Sequence, residues 1–239
     1  MQDACLLLFT KPAVAGRVKT RLIAREGRSG GLSPGQAAEL HQAFLEDLCE
    51  RLAGGSFRLT VAWAMEEGEV PPASEYSALR QSGDNLGERL YSALTEAALS
   101  HELVAAVGSD HPELPLEAVE LGFGRLREGA DVVLGPAEDG GYYFVGVRST
   151  GLRRRMFEDI EWSTSSVLEA TRERCRELGL HVELLEEAPD VDTPADLERL
   201  AKRLEGAGRH DVDPGDRCPR TERLLRDWGL IPVPDRVTI

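Results

Sequence analysis

The chain has no apolar run approaching the roughly 18 residues that a membrane helix requires, and its N-terminal stretch Ala4 to Phe9 is too short for a signal-peptide core. No membrane partner is expected, and the expected location is the cytoplasm. Positive charge is also in short supply: 28 Lys and Arg stand against 42 Asp and Glu, a formal net charge of −14. That sign opposes binding to a polyanion over any broad surface, so no nucleic-acid partner is expected. The four cysteines, Cys5, Cys49, Cys175 and Cys218, lie far apart without a Cys-x-x-Cys pair, which argues for reduced thiols and against a zinc site. The Gly-x-x-x-x-Gly-Lys-Ser/Thr pattern of a P-loop is missing, and so is any internal repeat or low-complexity tract.

What remains is a compact-domain composition: 239 residues, 41% hydrophobic and 29% charged. Strand-like and helix-like segments alternate. Ala4 to Phe9 reads as a buried strand, and Ser33 with Pro34 starts a helix through about Leu52 on apolar Ala37, Leu40, Phe44 and Leu48. Phe57 to Met65 and Leu79 to Ser82 read as strands, and Asn85 with Glu88 forms a capping box for a helix to about Leu99. A strand Leu103 to Val107, a helix Leu116 to Leu126, and strands Asp131 to Leu134 and Tyr142 to Val147 follow. The bend between those last two is too short for a parallel crossover, so one antiparallel insertion is expected. Ser163 to Leu178 reads as a helix, His181 to Leu185 as a strand, and Thr193-Pro194-Ala195-Asp196 as a helix start leading to about Leu204. This order predicts a three-layer α/β/α sandwich with a mostly parallel, mixed sheet in residues 1–205, with ligands beyond the carboxyl ends of the strands. Residues 206–239 form a linker and a helical extension. Its apolar stripe Leu224, Leu225, Trp228 and Leu230 is expected to dock on the domain or on a second subunit, leaving a homo-oligomer open.

Five motifs carry chemistry. After the first strand, Lys11 to Gly31 holds six cations (Lys11, Arg17, Lys19, Arg21, Arg25, Arg28) and one acid, Glu26, an island of positive charge that suits phosphate oxygens. The plain alternative is a basic loop paired with surface carboxylates. Gly108-Ser109-Asp110-His111-Pro112 ends a central strand, where Asp110 is placed to ligate a divalent cation or merely to cap a turn. In Asp190-Val191-Asp192-Thr193-Pro194-Ala195-Asp196, helix capping accounts for Thr193, Pro194 and Asp196 and leaves Asp190 and Asp192 as candidates for a second metal carboxylate. Glu138-Asp139-Gly140-Gly141-Tyr142 is a turn signal with a free acid, Asp139. In Gln81 to Arg89, Gln81 could read a base edge and Arg89 could meet a phosphate, or both could be surface polars around a helix cap.

In this order the motifs resemble the glycosyltransferase-A-like nucleotide-diphospho-sugar transferase superfamily, in the branch related to 2-phospholactate guanylyltransferase and to arsenosugar-biosynthesis-type glycosyltransferases. The matching pieces are Lys11-Pro12 through Gly16-Arg17-Val18-Lys19-Thr20-Arg21-Leu22, Gln81 with Leu86-Gly87-Glu88-Arg89, Gly108 to Pro112, Gly135-Pro136 with Asp139 to Tyr142, Trp162-Ser163-Thr164, and Asp190 to Pro194. The resemblance implies about seven strands, one of them antiparallel, and a Mg2+ or Mn2+ site. It implies that Arg17, Lys19 and Arg21 embrace the donor phosphates, that Lys11, Gly16, Gln81, Gly87 and Arg89 complete the nucleotide site, and that Asp110 is a metal ligand. The second metal carboxylate of its Asp-Thr-Pro motif matches Asp192 more directly than Asp190. The sequence departs from the glycosyltransferase Asp-x-Asp, having Gly108-Ser109-Asp110 instead.

Two enzymatic functions are therefore expected in competition. One is nucleotidyl transfer from a nucleoside triphosphate to a small phosphorylated or carboxylate acceptor, with guanine suggested by the resemblance. The other is glycosyl transfer from a nucleotide sugar, with Asp139 as base. A catalytically silent nucleotide-binding module is the third alternative.

Overall fold

The protein is described here by a computed structural model covering residues 3–24, 31–207 and 217–232. Among the described residues seven strands and six helices follow one another, mostly alternating: β1 (Ala4–Thr10), α1 (Pro34–Leu52), β2 (Arg58–Trp63), β3 (Ser77–Arg80), α2 (Leu86–Ala98), β4 (Leu103–Gly108), α3 (Leu116–Glu128), β5 (Val132–Pro136), β6 (Tyr142–Arg148), α4 (Val167–Glu177), β7 (Val182–Leu184), α5 (Pro194–Ala207) and α6 (Pro219–Asp227). The strands form one sheet in the order β3-β2-β1-β4-β6-β5-β7. Only β6 runs antiparallel, paired with β4 on one side and β5 on the other. The expected three-layer sandwich with one reversed strand is what forms. Among the described residues no helix is long and apolar enough to cross a membrane.

Burial on both faces explains the continuous apolar character of β1 and β4. On one face Leu6 and Leu8 pack with Leu45 and Leu48 of α1 and Phe123 of α3. On the other Cys5 and Leu7 meet Leu90 and Leu94 of α2 and Cys175 of α4. A third apolar cluster lies behind α1, where Leu40 and Phe44 join Val191, Leu200 of α5 and Leu225 of α6. All four cysteines are buried free thiols.

Local chemistry sets most element starts. Ser33 and Gln36 make a reciprocal capping box at α1, and Asn85 caps α2 by accepting from the Glu88 amide. The expected box at α2 is modified, because the Glu88 carboxylate accepts from Asp84 N rather than from its partner Asn85. Two boundaries differ more. The strand expected at Leu79 to Ser82 forms two residues earlier, as β3. The helix expected from Ser163 starts only at Val167, because Ser163 is left-handed (φ 66°) and Thr164 Oγ1 donates to the Glu161 carbonyl. That segment lies against the bend at Gly140, where φ is +86° and a Cβ would strike the Ser165 backbone. Residues 153–162, which carry no periodic signal, hold a short 3-10 turn over Arg154–Phe157 with Met156 and Phe157 buried under α2. Most of the expected linker, together with Arg25, Glu26 and Arg28, lies outside the described residues; Gly206 belongs to α5.

The extension docks through an unusual cap. No side chain of α6 itself caps its N-terminus; the fully buried Asp47 of α1 accepts from Arg220 N at 3.1 Å and Thr221 N at 2.9 Å. Arg51, one turn on, donates to the Arg217 carbonyl and also to the Pro112 carbonyl just after β4. Asp47→Ala leaves those amides buried without an acceptor and should cost about 2–4 kcal/mol of stability. Unchanged denaturant unfolding of D47A would show that α6 is not held this way.

Candidate functional site

The carboxyl ends of β1, β3 and β4 open onto a single cavity of about 520 Å³. Its walls come from the loop after β1 (Lys11, Arg17, Lys19, Arg21), from Gln81 and Arg89 around the start of α2, from Gly108 to Asp110 after β4, and from Ser163 and Asp192. This is where a mostly parallel α/β sheet is expected to hold a ligand. Five cationic side chains and two carboxylates line it.

The basic loop is shaped by two apolar anchors, Val18 and Leu22, and one reversal. Leu22 is buried in the third cluster, and the turn over Thr20–Leu22 follows Lys19, whose backbone is left-handed at φ 48°. That reversal turns the Lys19 side chain inward, where it is only 2% exposed. Its Nζ donates to Asp110 Oδ1 and to the Val191 carbonyl, both at 2.6 Å, and lies 3.7 Å from Asp192 Oδ1 and 5.1 Å from the Phe44 ring centre. Arg21 Nη1 meets Asp192 Oδ2 at 3.4 Å. Burial pushes the Asp110 carboxyl upward, but the adjacent Lys19 ammonium outweighs it and holds the group below the usual carboxylate range. Asp192 goes the other way, raised by burial and by Asp110 despite Lys19 and Arg21.

The remaining expected residues are less uniform. Arg17 lines the cavity while its guanidinium bonds Glu69 at 2.6 Å and Glu66 at 3.2 Å, carboxylates from the connection after β2. Lys11 is exposed at the rim, with no ion pair among the described residues. Gln81 Nε2 donates to the Ala62 carbonyl at 2.7 Å, and Arg89 Nε to the Gly83 carbonyl at 3.0 Å. Gly16 turns the loop at φ +80° without lining the cavity. Gly87 does not line it either; it lets α2 lie against Trp162 and the Phe157 carbonyl, 2.5 Å from where a Cβ would stand. Asp139 is likewise off the cavity wall, with Oδ1 accepting from Gly141 N at 2.8 Å to close the bend. Asp190 is pushed up to about 6 by burial and by neighbouring Asp139 and Asp192.

His41 lines the cavity and was not singled out in the sequence, although its place on the buried α1 stripe, four residues after Ala37 and three before Phe44, was a signal. Its Nε2 lies 3.0 Å from the Lys11 carbonyl, which can only accept, so Nε2 carries the proton; Thr10 Oγ1 is 3.1 Å away. His41 thereby ties the start of the basic loop to α1. His111 is also buried, edge-on to Tyr143, and burial pushes it down to about 4.

A divalent cation would find two hard oxygen donors here, since Asp110 and Asp192 converge on one point within reach of Lys19 Nζ. Among the described residues no third His, Cys, Asp or Glu joins them. That donor set fits Mg2+, which usually binds through one or two carboxylates and completes its shell with water and substrate phosphate.

The buried His41 yields a pH prediction. Burial lowers its pKa below the ordinary 6.5, outweighing the raising effects of Asp110 and of the hydrogen bond to the Lys11 carbonyl, with the Lys19 and Lys11 charges adding to the lowering. A depressed histidine contributes stability that is fully present above the unfolded value and lost as pH falls through the folded one. Stability should therefore drop as pH falls below the ordinary histidine value of 6.5, and drop less in His41→Gln, which keeps a donor but cannot titrate. Parallel slopes in thermal melts of the two proteins would contradict this.

Residues 58–164 match a family described as an uncharacterized protein conserved in bacteria (DUF2064). No curated protein matches the sequence. A solved structure from Desulfovibrio desulfuricans G20, provisionally named a nucleotide-diphospho-sugar transferase, superposes with a TM-score of 0.82 at 30% identity, covering 96% of this chain and 97% of that one. A CMP:2-keto-3-deoxy-manno-octonic acid synthetase solved with CTP is similar in fold alone, with a TM-score of 0.54, 14% identity, and 86% and 99% coverage. So is a cytidylyltransferase from Leptospira borgpetersenii, at 0.54, 11%, and 97% of each chain. The 30% identity over nearly the whole of both chains, with the same fold throughout, places this protein in the nucleotide-diphospho-sugar transferase family.

Proposed function

We propose that the protein is a Mg2+-dependent nucleotidyltransferase that moves a nucleoside monophosphate from a triphosphate to a small acceptor bearing an ionised phosphate or carboxylate. The observation that carries this reading is the crowding of Lys11, Arg17, Lys19, Arg21 and Arg89 around the same cavity as Asp110 and Asp192. A triphosphate presents more charge for such a lining than a sugar-linked diphosphate does, and the single acid in Gly108-Ser109-Asp110 is one short of the glycosyltransferase pair. Solved relatives by fold include the CTP-bound synthetase, in keeping with a nucleotide donor. Guanine is the base the sequence resemblance suggests.

In the reaction an acceptor oxygen forms a bond to the α-phosphorus as the bond from that phosphorus to the α,β-bridging oxygen breaks, and pyrophosphate leaves with that electron pair. Arg21 binds and orients the phosphate chain by forked contacts, Arg89 lines the same cavity, and Arg17 adds positive charge while its fork is held by Glu69 and Glu66. Asp110 and Asp192 are the residues that would hold Mg2+, which when bound supplies charge neutralisation on the phosphate oxygens. An ionised acceptor needs no general base, and neither buried histidine is placed as one: His41 Nε2 is committed to a backbone carbonyl and His111 is held far below neutrality. The chemistry then rests on positioning and electrostatic stabilisation.

The test is product identity. Each nucleoside triphosphate incubated with Mg2+ and candidate acceptors should release pyrophosphate for one base, and Arg21→Ala, a 62% exposed position, should lower turnover by about 100-fold without changing the melting temperature. Release of a nucleoside diphosphate from a nucleotide sugar would replace the reading with glycosyl transfer. Nucleotide binding without turnover that survives Asp110→Asn would leave a binding module.

A further inference from the structure

We propose that Lys19 is an internal competitor for the metal site, so that a divalent cation and the phosphate chain enter together and each strengthens the binding of the other. The inference rests on the nucleotide-and-metal reading of the cavity, and its physical basis is the position of one ammonium group. Lys19 Nζ stands where the Asp110 and Asp192 carboxylates converge, 2.6 Å and 3.7 Å from their Oδ1 atoms. It is almost fully enclosed, and the Val191 carbonyl and the Phe44 ring complete its surroundings.

A Mg2+ bridging the two carboxylates at this point would take their oxygens at about 2.1 Å. An ammonium 2.6 Å from one of those oxygens occupies that point, and two cations competing for it repel strongly. Metal binding to the carboxylate pair therefore displaces Lys19. Once displaced, the enclosed ammonium loses its bond to Asp110 and its pairing with Asp192 and must find other partners. The other charged side chains on the cavity wall, Lys11, Arg17, Arg21 and Arg89, are cations, and its hydroxyls and the Gln81 amide carry no charge to pair with an ammonium. A phosphate chain does, and the flexible Lys stem, rooted at the reversal of the basic loop, allows the ammonium to swing from carboxylate to phosphate. Without phosphate, expulsion of Lys19 opposes the metal; with phosphate, it is compensated. By linkage the metal must favour phosphate binding to the same degree.

Lys19 thus differs from Arg21, which touches the outer oxygen Asp192 Oδ2 at 3.4 Å and is mostly exposed. Removing Arg21 takes away a nearby positive charge without clearing the point of convergence. This contrast separates displacement from general electrostatics.

The experiment is an Mn2+ titration of the full chain, followed by electron paramagnetic resonance with no nucleotide present. Lys19→Met should bind Mn2+ at least about tenfold more tightly than the wild type, within the range usual for coupled sites, and Arg21→Gln should gain much less. The gain should vanish in the Lys19→Met, Asp110→Asn double variant. Equal Mn2+ affinity in Lys19→Met and wild type, or an equal gain in Arg21→Gln, would overturn the proposal. If Lys19→Met fails to fold, Lys19→Gln, which keeps a donor for the Val191 carbonyl, serves with the same expectations. Pyrophosphate release is scored separately: turnover without the Lys19→Met gain removes the Lys19 inference alone, and the gain without any nucleotide binding to wild type removes the nucleotidyl reading and the coupling to phosphate, leaving only the competition for the metal site.

Discussion

The enclosed ammonium of Lys19 joins three parts of the chain that the sheet brings close but does not itself connect. It links the loop after β1 to the end of β4 through Asp110 and to the segment before α5 through the Val191 carbonyl and Asp192. A backbone bond from Val191 N to the Asp110 carbonyl closes the same seam. Burying a charge is costly unless it is paired and hydrogen-bonded, and here one lysine is paired with two acids, of which Asp110 is held below the usual carboxylate range and Asp192 stays above it. Structural and functional demands meet at this point, since the groups that satisfy Lys19 are also the hard oxygens a cation would use.

The C-terminal helix supports the site from behind. Val191 and the loop anchor Leu22 belong to the apolar cluster that α1, α5 and α6 build together. Arg51 holds the Pro112 carbonyl on one side and the Arg217 carbonyl on the other, and Cys218 Sγ donates to Pro112 O at 2.9 Å. The strand end carrying Asp110 is thus braced by the segment leading into α6, and the extension bears on the geometry of the cavity as well as on the stability of the domain.

The fold was legible wherever local chemistry and periodicity coincide. Ser33-Pro34 ahead of an apolar stripe, Asn85 before α2, and Thr193-Pro194 with Asp196 each declare a helix start by satisfying its free amides. The reversed β6 was legible because Asp139-Gly140-Gly141 leaves no length for a crossover. Residues 153–162 were not, because a buried 3-10 turn has no repeating pattern to read. In the site, sequence pointed to the residue types but not to their partners. That Arg17 would meet Glu66 and Glu69, or that Lys19 would stand between Asp110 and Asp192, depends on contacts spanning about 50 to 170 positions, which no local signal encodes. His41 was overlooked for a related reason: on a buried stripe an imidazole reads as core until its backbone acceptor is known.

The most direct measurement is a crystal structure of the protein grown with Mn2+ and a triphosphate analogue that cannot be cleaved between its α- and β-phosphates, with the metal located by anomalous scattering. The account predicts an Mn2+ peak in contact with both Asp110 and Asp192 and a triphosphate lying along the loop from Gly16 to Arg21. Density for the triphosphate at another face of the sheet, or an ordered nucleotide in the cavity with the metal bound away from that pair, would contradict it.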